Sequence, residues 1–419
     1  MYLKGSKWSM RKRRRPVNWF NIGLLSLLVV AAVYLNQVWI PTVPPIGVPT
    51  ATPTRDPESF ATEAEGYFTQ GKLFQAIDAY TQAIRSDPQN PGYYTDIARA
   101  QIYAGLYEDA LNSAEKALLL NPNNPKAHTM RAWALDFLGD YLAAEGAVKS
   151  AIELDANSAM AHAIYAEILA DQYINNVGAL DTIERAAEES RVAISLDDNL
   201  LESRRARGYV LYITDNREQA ITEYQAAINI NPNIPDLHLQ LGVVYRSLGV
   251  NDKAVDEYLS ANVLNPSDPT PDLYISRAYG SIGEYAKAEQ YAKSAVTDEP
   301  TDPYLRGNWG VWLYQNLLWP EAADQLGLAV NGGMDEEGVR IAPLQLTNDI
   351  RTAEYFYTYA LVLARLGRCS EVIDVAQRII NTIPTDETAA FNAQESLRIC
   401  QENVDVTPTV EPPDGTPTP

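Results

Sequence analysis

What most constrains this chain is a spacing of small, aromatic and proline residues that recurs about every 34 positions. The stretch from Pro235 to Asp268 shows it fully, with Leu241 and Gly242, then Tyr245, Gly249, Ala254, Tyr258, Ala261 and Pro266. Pro91 to Asn124 repeats it with Ala98, Gly105, Tyr107, Ala110, Ala114, Ala117 and Pro122. Pro57 to Asn90 does so with Tyr67, Gly71, Phe74, Ala76, Tyr80, Ala83 and Pro88. Further copies are marked by Gly139, Tyr141, Ala144 and Ala151; by Gly208, Ala220, Tyr224, Ala227 and Pro232; and by Gly283, Tyr285, Ala288, Ala295 and Pro300. Small residues such as Ala254 and Ala261 let one helix approach its neighbours closely, and Gly249 permits a tight turn between two helices. Pro266 ends the second helix because it cannot continue a hydrogen-bonded run. A chain built this way grows by stacking copies and needs no single compact core.

This pattern resembles the tetratricopeptide repeat across residues 57–402. The resemblance implies an all-α fold, a tetratricopeptide (TPR) α-solenoid in which helix-turn-helix units wind into a right-handed superhelix. About nine repeats are expected, closed by a polar-faced capping helix from Glu387 to Glu402. Three places depart from the pattern. Extra residues near 173–178 are expected to add roughly one turn to each helix of the fourth copy. The eighth copy, at Trp309, Gly310, Trp319, Ala322 and Ala329, is followed by an unmatched segment, 331–351, expected to fold over the groove. The ninth runs from Ala353 with Ala360, Gly367, Ala376 and Pro384, but Val372 and Ile379 replace two small packing residues.

The ends of the chain read differently. Residues 1–19 are basic, with Arg11, Lys12, Arg13, Arg14 and Arg15 in one run, and Phe20 to Ile40 is uncharged with Trp19 and Trp39 at its ends. An uncharged run of that length spans ~30 Å of hydrocarbon, so 20–40 is expected to be a transmembrane helix. The basic run places the N-terminus in the cytoplasm and the repeats outside it, in a single-pass protein of the cell membrane. A cleaved signal peptide is the alternative, but no small-residue cleavage site follows the apolar core. Residues 41–56 form a Pro/Thr-rich linker and 403–419 a tail of the same composition, expected to be disordered.

Residues 1–40 hold seven Lys/Arg and no acidic residue; subtracting them from the net charge of -21 leaves -28 on the remainder. So acidic a body repels phosphate backbones, and nucleic acid is excluded as a partner. No nucleophile elbow, phosphate loop, zinc-protease or dinucleotide motif is present, so no catalytic residue, cofactor or metal is assigned, and the chain is expected not to be an enzyme. His128, His162 and His238 occupy the fourth place of their repeats, too far apart for one metal, and are expected to pack. Within the array, Cys369 and Cys400 fall on the same side of neighbouring antiparallel helices. They are either a disulfide pinning the cap or two buried thiols.

In tetratricopeptide proteins the first helices line a concave groove, and ligands are met from the second, fifth, ninth, twelfth and thirteenth places of each repeat. Carried over residue by residue, the resemblance assigns to that groove Arg99, Tyr103, Trp133, Phe137, Arg205, Tyr209, Tyr212, Arg246, Arg277, Tyr304, Tyr314 and Tyr357. Aromatic and arginine side chains dominate protein hot spots, which makes a peptide or protein segment the expected ligand. The implied function is a membrane-anchored interaction scaffold. The alternative is a glycan-binding accessory of cell-envelope biogenesis, since rows of Tyr and Trp also stack on sugars. Oligomeric state and pathway are open.

Overall fold

A computed structural model describes residues 18–35, 37 and 55–405 and divides the chain into two units at Arg55/Asp56. The basic N-terminus up to residue 17, nearly all of the linker and most of the tail lie outside the described residues.

The first unit contributes one helix, α1 (Trp19–Tyr34), whose 16 residues carry no charge. At ~1.5 Å per residue it is about 24 Å long, short of a ~30 Å hydrocarbon core. Among the described residues no helix is long and apolar enough to cross a membrane. The expected span of 20–40 extends past this helix, and its residues 36 and 38–40 lie outside the described set.

The second unit is a series of helix pairs: α2 (Pro57–Thr69) and α3 (Leu73–Ser86), α4 (Pro91–Tyr103) and α5 (Tyr107–Leu120), α6 (Pro125–Phe137) and α7 (Tyr141–Leu154), α8 (Ala159–Ile174) and α9 (Thr182–Leu196), α10 (Leu201–Ile213) and α11 (Arg217–Ile230). It continues with α12 (Pro235–Ser247) and α13 (Asn251–Leu264), α14 (Pro269–Ser281) and α15 (Tyr285–Asp298), α16 (Pro303–Gln315) and α17 (Trp319–Asn331), then α18 (Ile350–Arg365), α19 (Cys369–Thr382) and the cap α20 (Glu387–Asp405). Each helix packs on its sequence neighbours, and the cap packs on both α18 and α19.

Local chemistry sets these boundaries. Several first helices begin with Pro at the opening turn, where its missing N–H costs nothing, after an Asn or Asp whose side chain accepts a free backbone N–H. Asn90 accepts from Gly92 N at 2.9 Å, Asp268 from Thr270 N at 2.9 Å and Asp302 from Tyr304 N at 2.7 Å. The turn into the second helix needs a left-handed residue, supplied by glycine in most repeats and by Asn176, Asp215 and Leu317 in the fourth, fifth and eighth. Inside a pair the helices touch closely: a Cβ on Gly242 would lie 2.5 Å from the ring of Tyr258.

In six of the repeats the fourth place has a shared role. His128 Nε2, His162 Nε2 and His238 Nε2 bond the carbonyl oxygens of Pro122, Ala156 and Pro232, each six residues upstream. Tyr94, Arg204 and Arg306 do the same to Pro88, Asp198 and Pro300. These side chains tie six of the first helices to the turn that follows the preceding second helix.

The two insertions differ from expectation. In the fourth repeat the extra residues do not lengthen both helices equally: α8 has 16 residues, α9 has 15, and the rest form the loop 175–181. After α17 the chain makes a small antiparallel hairpin, β1 (Gly333–Met334) with β2 (Arg340–Ile341). Instead of covering the groove, the hairpin is anchored by a buried ion pair between Asp335 and Arg306, and Leu344 N–H donates to Ala329 O. It walls a cleft lined by residues of the second helices α15 and α17. The ninth repeat starts at Ile350, three residues earlier than expected, because Asp349 caps Thr352 N at 2.8 Å. Cys369 and Cys400 are bonded, with their Cα atoms 5.6 Å apart.

Candidate functional site: the inner face of the solenoid

The first helices α4, α6, α8, α10 and α12 bring a compact set of charged and aromatic groups together. Arg99 Nε donates to Glu202 Oε1 at 2.7 Å, and Tyr103 hydroxyl to the same oxygen at 3.1 Å. Arg205 joins Glu167 at 2.6 Å and Asp236 at 2.8 Å. The Tyr209 hydroxyl donates to Asp171. The Arg205 guanidinium lies over Trp133 and Phe137, 5.3 and 5.8 Å from their ring centres, and Tyr103 meets Trp133 edge-on at 5.3 Å. Arg99 stacks over Phe68 at 4.5 Å.

This network is buried, and its titrations follow from that. Burial pushes Glu167 up to about 7 even though Arg205 pulls it down. Asp136 stands well above the usual carboxyl range because it is buried beside Asp171 and Glu167, and burial raises its hydrogen-bonded partner Asp171 as well. Burial also acts on Glu202, but the charge of Arg99 and its hydrogen bond outweigh that and hold the carboxyl below its ordinary value. One carboxylate oxygen each of Asp136, Glu167 and Glu202, and the indole N–H of Trp133, are buried without a hydrogen-bond partner.

Of the assigned groove residues, Arg99, Tyr103, Trp133, Phe137, Arg205 and Tyr209 thus come together, but largely to bond one another or the chain's own carboxylates. Trp133 is fully buried, so it cannot meet a ligand in this state. The others do not join them. Arg246 lies over Tyr274 at 5.6 Å, and Tyr212 packs on a core that α2 to α4 share with α10 to α14. Arg277 donates to Tyr355 hydroxyl at 3.2 Å and stacks over Tyr304 at 5.2 Å, while Tyr314 and Tyr357 pack on the C-terminal core. The residues missed from sequence are the acidic partners Asp136, Glu167, Asp171, Glu202 and Asp236. They occupy the same second, ninth, twelfth and thirteenth places, and that shared register was the available signal.

A cavity of about 530 Å³ remains beside the network, lined by Tyr103, Tyr107, Phe137, Arg205, Asp236, Leu239 and Gln240 among others. Its rim is aromatic: Tyr107 and Phe137 stack with ring centres 4.4 Å apart, Phe137 is 40% exposed and Phe74 is 56% exposed. Among the described residues no group of His, Cys, Asp or Glu is arranged to hold a metal ion.

A family model described as "Tetratricopeptide repeat" matches residues 67–134, and one described as "TPR repeat" matches 208–249. No curated protein matches the chain. Among solved structures, a tetratricopeptide repeat protein from Parabacteroides merdae is 15% identical, covering 61% of this chain and 98% of its own, with a TM-score of 0.40. The structure titled for PilF of Pseudomonas aeruginosa is 20% identical, covering 49% of this chain and 90% of its own, with a TM-score of 0.41. The chain carries tetratricopeptide repeats at residues 67–134 and 208–249.

Proposed function

We propose that this protein is a non-catalytic interaction scaffold that holds a segment of a partner protein at the mouth of its inner cavity, outside the cytoplasm, on a single N-terminal membrane anchor. The observation that carries the binding reading is the aromatic rim of exposed Phe74 and Phe137 and half-buried Tyr107 on a cavity that Asp236 and Arg205 also line. Rigid aromatic surface beside charged groups is hot-spot chemistry. A cavity of about 530 Å³ takes a few side chains and no long peptide, so the reading narrows the groove assignment to an anchor motif within the partner. The anchoring reading rests on the sequence: an uncharged run from Phe20 to Ile40, the preceding basic cluster and the flanking Trp19 and Trp39.

The test places a benzoylphenylalanine cross-linker at Phe137, Tyr314 or Tyr357 in the full chain in its own membranes. A polypeptide adduct confined to position 137 supports the proposal; a saccharide adduct there favours the glycan-binding alternative. Adducts only at 314 or 357 move the site to the last repeats. In parallel, the repeats of membrane-bound protein in intact cells are exposed to protease. Protection until the membrane is permeabilised overturns the extracytoplasmic placement.

A further inference from the structure

Groups of the first two repeats meet groups of the fifth and sixth across the inner face. Besides Arg99 and Glu202, the turn after α2 touches the loop between α11 and α12: Asn233 Nδ2 donates to Thr69 O at 3.1 Å, and Asn231 Nδ2 to Phe68 O at 3.5 Å. A Cβ built on Gly71 would lie 2.2 Å from the carbonyl oxygen of Asn233. The equivalent turn glycines, Gly105, Gly139, Gly249, Gly283 and Gly367, would meet nothing within 4 Å. Gly71 alone among these is pressed against a loop more than 160 positions away in sequence.

No helix of the first two repeats packs lengthwise on a helix of the fifth or sixth; loops and side chains make the contact, and Phe68, Leu73 and Ile97 belong to the same buried apolar cluster as Leu201 and Ile234. Repeats are held by their nearest neighbours, so the seam can part while every helix pair stays intact. Behind it lie Trp133 and Tyr103, which the closed form hides or half-hides.

We propose that the first six repeats form a latched ring, and that the seam between Gly71 and Asn233 is the gate through which a partner segment reaches the inner face. This regulation rests on the reading that the partner binds at that face. Closure itself is a property of the free chain and is measured without any ligand.

The experiment uses the full chain with spin labels at Gln75→Cys and Asn229→Cys, the native disulfide left oxidised. Three backgrounds are compared: native, Gly71→Ala and Gly105→Ala. The two alanine variants carry the same left-handed backbone penalty, because both glycines have φ above +65°. Only Gly71→Ala adds the clash with Asn233. The expected result is one narrow distance for the native chain and Gly105→Ala, and a longer, broader distribution for Gly71→Ala with unchanged helical circular dichroism. A cysteine at Ile102, which lines the inner cavity, should then react with a bulky maleimide at least tenfold faster in the Gly71→Ala chain. A narrow distance in Gly71→Ala, or a broad one in all three, overturns the latch. Should Gly71→Ala lose helicity, Asn233→Ala, which removes the amide bond and leaves the turn intact, decides by the same distance. A latch that opens as expected with no partner adduct at Phe137 leaves the closed ring standing and sinks the binding reading, and with it the gate.

Discussion

Arg99 and Glu202 stand 103 positions apart in sequence yet share a 2.7 Å ion pair whose carboxylate is completely buried. Breaking such a pair by removing one partner leaves a desolvated charge and costs about 3–5 kcal/mol, whereas removing both costs far less. Arg99→Met should therefore destabilise the protein by that amount, and Arg99→Met with Glu202→Met should recover most of it. Urea denaturation of the two single variants and the double variant checks the coupling. Additive losses would show that the two residues do not meet in solution.

The histidines at the fourth repeat place make stability depend on pH. Both nitrogens of His162 face acceptors, Glu189 and the Ala156 carbonyl, and those of His238 face Glu257 and the Pro232 carbonyl. Only the imidazolium has two N–H groups to donate. The hydrogen bond that His162 donates to Glu189 raises its pKa; for His238 burial acts downward, and the bond to Glu257 outweighs it. A folded pKa above the unfolded value stabilises fully below about pH 6.5 and is lost as pH climbs through the raised value. His162→Gln with His238→Gln should lower the urea midpoint more at about pH 6 than at about pH 9. Equal losses at both would mean that the rings are neutral in the fold.

Much of this architecture is written locally, and that is why it can be read. Gly249, Ala254, Ala261 and Pro266 each act within one helix or one turn, so their spacing gives the pairs and their boundaries. Curvature is not local. It sums small rotations between repeats, and no single residue announces that Thr69 will reach Asn233. The same gap misled the reading of the groove. Arg205 and Trp133 occupy ligand-facing places, but Glu167 and Asp236, in equivalent places on other repeats, reach Arg205 first. The added residues after Ile174 were visible as a count, whereas their division between α8 and a loop depends on where the chain can stop burying its side chains.

Leu317 occupies the turn position that glycine fills in other repeats, with φ of 63°, and is 71% exposed. A left-handed conformation costs an ordinary residue about 1–2 kcal/mol, while glycine costs about 0.5–1 kcal/mol of extra chain entropy. Little apolar surface is lost on truncation. Leu317→Gly should therefore stabilise the eighth repeat by about 0.5–1 kcal/mol, read as a rise in denaturation midpoint at unchanged slope. A fall would show that the side chain contributes more by packing than its backbone costs.

The disulfide between Cys369 and Cys400 closes a loop with a sequence separation of 31, which in the chain-entropy account contributes about 3–4 kcal/mol. It joins the start of α19 to the last helix, where Ala389, Ala393 and Cys400 are buried against the end of the solenoid. Since neighbour contacts carry a repeat array, the effect of cutting the bond should stay local. Cys369→Ser with Cys400→Ser, or reduction of the native protein, should speed hydrogen exchange in α19 and α20 while leaving α2 to α12 unchanged. If exchange rises along the whole array, the repeats unfold as one cooperative block and the cap is a keystone for all of them. If it rises nowhere, apolar packing of the cap on α18 and α19 suffices without the bond.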